Sequence, residues 1–260
     1  MASSGIVFLM FHELELPRRS LVQSEPGYVR YILRESTFQA QIDWLSHNGW
    51  NGLSVGDALR AHTTGKSVAI TFDDGCETDL LCAAPILGAA GFHATFYVTA
   101  SFLNQPGYLS TPQLRELYSS GFEIGCHSMT HAYMNDLSPQ QLQVEVVDAR
   151  SKLEDAIGSQ VVHFSCPGGR YNNRVIATVR RAGFLSLATS RAHANPASAD
   201  PYLLGRVAIM RDTSPLEFAK ICSGENLWKM RMSESVRMSA RKLLGNAFYE
   251  RVRTSLLRQP

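Results

Sequence analysis

Val68-Ala69-Ile70-Thr71-Phe72-Asp73-Asp74-Gly75 is an apolar, β-branched run that ends in two adjacent carboxylates and a glycine. Its composition and length predict a buried strand. Side chains alternate along a strand, so Asp73 and Asp74 leave it in different directions. Gly75 permits a sharp turn and a close approach of other atoms. One carboxylate can then bind a metal while its neighbour stays free to act as a base. Paired acids also end many ordinary strands in solvated loops, so a second stretch has to decide.

That stretch is Gly125-Cys126-His127-Ser128-Met129-Thr130-His131, which follows another short predicted strand, 122–125. Histidines four apart on a helical turn share a face. Two histidines and one carboxylate are a common ligand set for catalytic zinc and leave a position open for water. Such an ion lowers the water pKa towards about 7 and polarises a carbonyl. The second aspartate can take the water's proton, and a histidine across the site can protonate a departing amine. The set suits hydrolysis of an amide or ester. A lone His-x-x-x-His pair is more often a coincidence, so the case rests on the conjunction. Cys76, Cys126 and Cys166 fall beside these residues, where packing explains them better than thiolate ligation.

Working outward, strands are predicted at 6–11, 67–72, 94–98, 122–125, 161–164, 185–189 and 207–210. Helices alternate with them. Ser36 with Gln39 opens one that stops near Gly49, and Ser54 caps a short one through Leu59. Others run over 79–90, from Thr111-Pro112 to Gly121, from Ser138-Pro139 to about Ile157, over 174–182, and from Ser214 to Ile221. Residues 17–34 show no period and read as a long loop. Alternation of this kind predicts a parallel sheet. The fold class is therefore α/β, a distorted (β/α)7-8 barrel in a single domain over 1–222, with a basic helical extension over 223–260. Barrel sites form on the loops after strands, where His12, Asp73/Asp74, His127/His131 and Pro167/Gly168 all lie.

The bulk numbers agree. The 260 residues, 45% hydrophobic and 18% charged, suit one substantial core. No apolar run approaches the roughly 20 residues that cross a bilayer. The first residues lack the basic start of a secretory signal, so a soluble, cytoplasmic protein is expected. Five irregularly spaced cysteines argue against a disulfide framework. The net charge is +2, but eight basic and two acidic residues from Lys229 onward carry +6, leaving a mildly acidic body at −4. No nucleic-acid partner is expected.

The sequence resembles the polysaccharide deacetylase (NodB-homology, carbohydrate esterase 4) family over roughly residues 6 to 210. Thr71-Phe72-Asp73-Asp74-Gly75 matches that family's first motif, and His127-Ser128-Met129-Thr130-His131 its second. Phe164-Ser165-Cys166-Pro167-Gly168-Gly169 is similar to the third. The resemblance implies Asp73 as base, Asp74, His127 and His131 as metal ligands, and the Gly168 N–H as an oxyanion donor. It also implies substrate contacts from Pro167, Gly169 and Tyr171. Ser165 stands where the third motif usually has the arginine that orients the base, and Arg206 or Arg170 is the candidate substitute. The usual later motifs are not visible, and no histidine follows His193. Leu9-Met10-Phe11-His12-Glu13 is similar to the N-terminal motif of the branch acting on poly-N-acetylglucosamine exopolysaccharides, which implies His12 as the general acid.

The expected reaction is metal-dependent removal of N-acetyl groups from an amino-sugar polysaccharide or its lipid-linked precursor. Zinc is the default ion, and cobalt, manganese or nickel suit the same ligands. Peptidoglycan, an O-acetyl ester or a cyclic amide would keep the chemistry and change the substrate. A carbohydrate-binding protein that has lost catalysis is the rival from another class, favoured by the missing arginine and disfavoured by the retained acids and histidines. Leu244, Phe248, Val252 and Leu256 repeat at four-residue spacing beside arginines in the extension. Such a helix packs on the barrel or lies peripherally on an anionic membrane.

Overall fold

The computed structural model describes residues 5–61 and 65–232. Its strands are β1 (Val7–Phe11), β2 (Leu14–Glu15), β3 (Leu33–Arg34), β4 (Asn51–Leu53), β5 (Ser67–Phe72), β6 (Thr95–Val98), β7 (Glu123–Cys126), β8 (His163–Ser165), β9 (Ser186–Ala188) and β10 (Val207–Ala208). Among the described residues, eight of them form one parallel sheet in the order β10-β1-β5-β6-β7-β8-β9, with β4 beside the start of β5. The sheet also closes on itself. Leu204 bridges Ala188 of β9, and three residues later Val207 pairs with Leu9 of β1. Residues 204–208 are thus the last stave of the barrel.

Period-two alternation sorts the strand residues. Val7, Leu9 and Phe11 of β1, with Val68, Ile70 and Phe72 of β5, face outward into the main core. The helices are α1 (Pro26–Val29), α2 (Glu35–His47), α3 (Val55–Arg60), α4 (Ala84–Ala89), α5 (Thr111–Ser119), α6 (Pro139–Gln143), α7 (Ala149–Ile157), α8 (Asn173–Arg181) and α9 (Pro215–Cys222), of which α2 and α4 to α9 cover that face. Phe11, Phe72 and Phe96 stack in a row at 5.3 and 5.1 Å, with Phe38 set edge-on against the first two. The alternate residues Phe8, Ala69, Tyr97, Ala188 and Leu204 fill the barrel interior together with Val55 and Ala58 of α3. Asp73 continues the phase of Ala69 and Thr71, which points it into the mouth of the barrel.

Several expectations change. Residues 17–34 are not featureless, because they hold α1 and β3, and β3 pairs with β2. The box predicted at Ser36 does not form. Helix α2 begins at Glu35 with Arg34 as an uncapped start, and Gln39 bonds Asp43 instead. A full capping box does form at Ser110 with Gln113, one residue before the predicted start, and another at Ser138 with Gln141. Wide i→i+5 turns, Asp79–Ala83 and Val144–Asp148, interrupt two of the predicted helices. Helical backbone resumes over 227–232, with Leu227 buried and Trp228 exposed. The Leu244–Leu256 stripe lies outside the described residues. No helix among those described is long and apolar enough to cross a membrane.

One buried polar cluster sits where β6 and β7 begin. Glu123 accepts from the Gly56 N–H at 3.1 Å and from Thr95 Oγ1, and lies 3.4 Å from His163 Nε2, whose other nitrogen meets Ser186 Oγ at 2.8 Å. Burial would raise the Glu123 carboxyl, but the His163, Thr95 and Gly56 bonds outweigh it and hold its pKa below the ordinary value of 4.5. A carboxylate depressed on folding stabilises above its unfolded pKa and loses that contribution as pH falls through the folded one. Glu123→Gln should therefore cost about 1–2 kcal/mol near pH 7. The gap to wild type in thermal melts should narrow below about pH 4.5; an unchanged gap would refute this.

Candidate active site

Four loops after strands meet at the barrel mouth. The first follows β5. Asp74 and Gly75 both take φ near 81°, a left-handed region that aspartate tolerates and glycine favours. A Cβ on Gly75 would lie 2.9 Å from a Val98 methyl, so glycine is also needed for room. The turn brings Asp73 to Arg206 and Asp74 to the two histidines.

Asp73 meets Arg206. The guanidinium forks onto the carboxylate at 2.7 and 2.8 Å. Its remaining N–H groups reach Thr71 Oγ1 (3.2 Å), Ser165 Oγ (2.7 Å) and the Thr189 carbonyl (3.1 Å), so all five donors are used. Arg206 is wholly buried and its guanidinium lies 5.3 Å from the Tyr97 ring centre. Burial alone would raise the Asp73 carboxyl, but the Arg206 charge, His127 and the Arg206 hydrogen bonds hold it far below the usual carboxylate range. Ser165 explains the exchange of arginines: a small side chain on β8 leaves space that Arg206, arriving from the closing stave, fills. Arg170, the other candidate, instead stacks its guanidinium 3.4 Å from the Tyr133 ring centre.

The loop after β7 supplies the histidines. It is not the helical turn that the four-residue spacing suggests. Ser128 and His131 both have positive φ, 67° and 63°, and the two imidazole rings nevertheless lie 5.1 Å apart. His127 Nε2 lies 3.6 Å and His131 Nε2 3.4 Å from Asp74 Oδ1. These separations are too long for hydrogen bonds. They match the roughly 3.3–3.6 Å expected between ligands that each sit about 2.0–2.2 Å from one tetrahedral ion. Asp74 Oδ1 is buried with no hydrogen-bond partner among the described residues, as a ligand atom awaiting a cation would be. His127 Nδ1 lies 3.0 Å from the Ser165 carbonyl, which fixes its N–H there and leaves Nε2 with a lone pair. Burial pushes the His127 pKa down to about 4, so the ring is neutral, as a ligand must be. Asp74, His127 and His131 form the only such cluster among the described residues, and they fit a divalent metal.

His12 follows β1, with its ring 5.0 Å from Tyr31 and within the electrostatic reach of Asp74, Asp73 and His131. Its Nδ1 is buried without a hydrogen-bond partner among the described residues. Burial lowers its pKa, opposed by the charges of Asp74 and Asp73. The third motif forms a tight turn, Pro167–Gly169, after β8. Gly168 is exposed at the mouth, and Gly169 adopts φ 65° with Ser190 so close that a Cβ would sit 2.6 Å from it. Pro167 is buried, and Tyr171 lies half-buried with Arg191 5.4 Å from its ring centre. The site cysteines are packed thiols: Cys76, Cys126 and Cys166 are buried, and burial raises the Cys126 pKa to about 12.

Two features escaped the sequence reading. The choice of Arg206 over Arg170 depends on barrel closure. Glu145, which bonds the histidine loop, shows only as an acid in phase with Leu142, Val146 and Ala149 on the buried face of its helix.

Residues 60–187 match the family model for polysaccharide deacetylase. YxkH of Bacillus subtilis, which carries a polysaccharide deacetylase name, is 29% identical over 66% of this chain and 63% of its own length. The poly-β-1,6-N-acetyl-D-glucosamine N-deacetylase of Staphylococcus aureus is 26% identical over 70% of this chain and 69% of its own. The chain spans less than two thirds of YxkH and about half of two further curated relatives. The deacetylase PplD of Streptococcus pyogenes has the same fold, with a TM-score of 0.75 at 22% identity over 85% of this chain and 99% of that one. With its Asp-Asp and His-x-x-x-His motifs converging at one barrel mouth, the stretch 60–187 of this chain is a domain of the polysaccharide deacetylase family.

Proposed function

We propose that this chain is a metal-dependent hydrolase that removes N-acetyl groups from an amino-sugar polysaccharide of the poly-N-acetylglucosamine kind. One observation carries the reading. A three-ligand cluster with a bare buried carboxylate oxygen lies beside a second carboxylate locked in its ionised form by Arg206. The substrate class is supported by the name of the S. aureus relative.

Asp74, His127 and His131 would hold the ion, for which zinc suits two imidazoles and a carboxylate, with cobalt, manganese or nickel as substitutes. When bound, it supplies a water of lowered pKa and a polarised acetyl carbonyl. Asp73 accepts the proton of the attacking water on a carboxylate oxygen. A carboxylate kept so acidic is a weak base, so it suits only a water already acidified. Arg206 holds both oxygens of Asp73 in the plane of its fork. The Gly168 N–H, exposed at the mouth, donates to the oxygen that gains charge as the carbonyl is attacked. His12, across the site, hands a proton to the sugar nitrogen as acetate leaves.

The test is acetate release from N-acetylglucosamine oligomers by the purified chain, before and after chelation. Activity should vanish with chelator and return with zinc or cobalt. A chain that binds one metal ion yet releases no acetate would instead favour another acyl substrate or the binding-only reading.

A further inference from the structure

The loop between the two metal histidines has no regular structure to hold it. Ser128 and His131 occupy the left-handed region, which side-chain-bearing residues adopt only when their surroundings impose it. His127 is sealed in, with 2% of its side chain exposed, whereas His131 is 36% exposed and packing constrains it less. The position of the His131 imidazole therefore depends on the backbone that carries it.

That backbone is held from two sides. The Ala100 and Ser101 N–H groups donate to the Ser128 and Met129 carbonyls at 3.0 and 2.8 Å, and Ser128 Oγ accepts the His131 N–H at 3.0 Å. On the opposite side stands one side chain. Glu145 Oε2 accepts the Met129 and Thr130 N–H groups, both at 2.9 Å, and Oε1 meets Thr130 Oγ1 at 2.5 Å. Glu145 is 6% exposed and sits in the wide turn Val144–Asp148, an insertion that helices often carry at functional positions. The extra residue resets the helix phase where the carboxylate must reach the loop.

We propose that Glu145 is the positioning residue of the metal site. By fastening the Met129 and Thr130 amides it holds the His127–His131 loop in its ligating shape, and so sets metal affinity without touching the ion. The proposal rests on the reading of Asp74, His127 and His131 as ligands. What matters is the geometry of acceptance rather than charge, because Thr130 is exposed and its hydroxyl can turn to water. A glutamine can then keep all three bonds, its amide oxygen accepting both N–H groups and its NH2 donating to Thr130 Oγ1. An aspartate keeps the charge and falls short by one methylene.

The experiment titrates the metal-free full chain with zinc against a chromophoric chelator and records the visible spectrum with cobalt. Wild type, Glu145→Gln and Glu145→Asp are compared, with thermal melts alongside. Glu145→Asp should bind zinc roughly 10–100-fold more weakly, the loss typical of a residue that orients a ligand, and should alter the cobalt spectrum. Glu145→Gln should bind like wild type. Wild-type affinity and spectrum in Glu145→Asp would overturn the proposal whatever its melting temperature, since a merely structural tie moves stability alone. A glutamine variant as weak as the aspartate variant would overturn it too. A wild-type chain that takes up no metal would sink the underlying reading of the three ligands, a result distinct from either.

Discussion

Asp73→Asn should retain one metal ion per chain and lose catalysis, with kcat down by about 10²–10⁴-fold, the span typical of a deleted general base. The amide is nearly isosteric with the carboxylate, but it has one acceptor where Arg206 presents two donors. It cannot take the water's proton. The metal cluster does not include Asp73, so occupancy should survive, as metal analysis of the purified variant would show. The change also leaves the buried Arg206 charge without its counter-ion, so a lower melting temperature should accompany the loss of rate. Activity within two-fold of wild type, by an acetate assay with metal restored, would remove Asp73 from the mechanism. A carbohydrate-binding protein would bind its glycan equally well with either residue.

Arg206→Met should cost about 3–5 kcal/mol of stability, the penalty for breaking a buried ion pair from one side. Methionine fills much of the volume but meets none of the five acceptor contacts, and Asp73 is left as a buried charge with its fork removed. The loss has a sign in pH as well. In the native protein the Arg206 fork outweighs burial and keeps the carboxyl far below its ordinary value. Without the fork burial is less opposed, the pKa rises, and the fraction of ionised base falls at acidic pH. The acid limb of the pH–rate profile should therefore move to higher pH, with activity partly recovered on alkalinisation. Arg206→Lys keeps a charge but not the planar fork, and should fall between the two. An unmoved acid limb in the methionine variant would show that Asp73 does not govern the rate.

Much of this architecture is readable in the chain because its causes are local. The run at 67–72 alternates between outward large apolar residues and inward small ones, and the two motifs stand directly after strands. Helix starts are harder. Ser36 and Ser110 both stand three residues ahead of a glutamine, yet only Ser110 caps, since the β3 backbone runs straight into α2 and leaves Ser36 inside it. The histidine spacing suggests a helical turn, but a loop with two left-handed residues is what brings both rings to Asp74, which pattern alone does not reveal. Arg206 and Arg170 look alike along the chain. They differ because Arg206 lies on the stave between β9 and β1, 133 positions from its carboxylate, while Arg170 turns off a tight corner onto Tyr133. Glu145 is a similar case, an acid whose place on a buried face makes sense only once the loop opposite is in view.

Because the stave that closes the barrel also carries the partner of Asp73, the proposed site is complete only once the barrel has closed. During synthesis Asp73, Asp74, His127 and His131 emerge well before Arg206, and the pairing of Leu9 with Val207 joins opposite ends of the domain. Bringing such distant segments together is the slow, entropically costly part of folding. Until it happens Asp73 has no fork to anchor it. A nascent chain that stops short of residue 204 would thus carry both motifs without the Arg206 fork, and under the proposed function its activity would wait on completed folding.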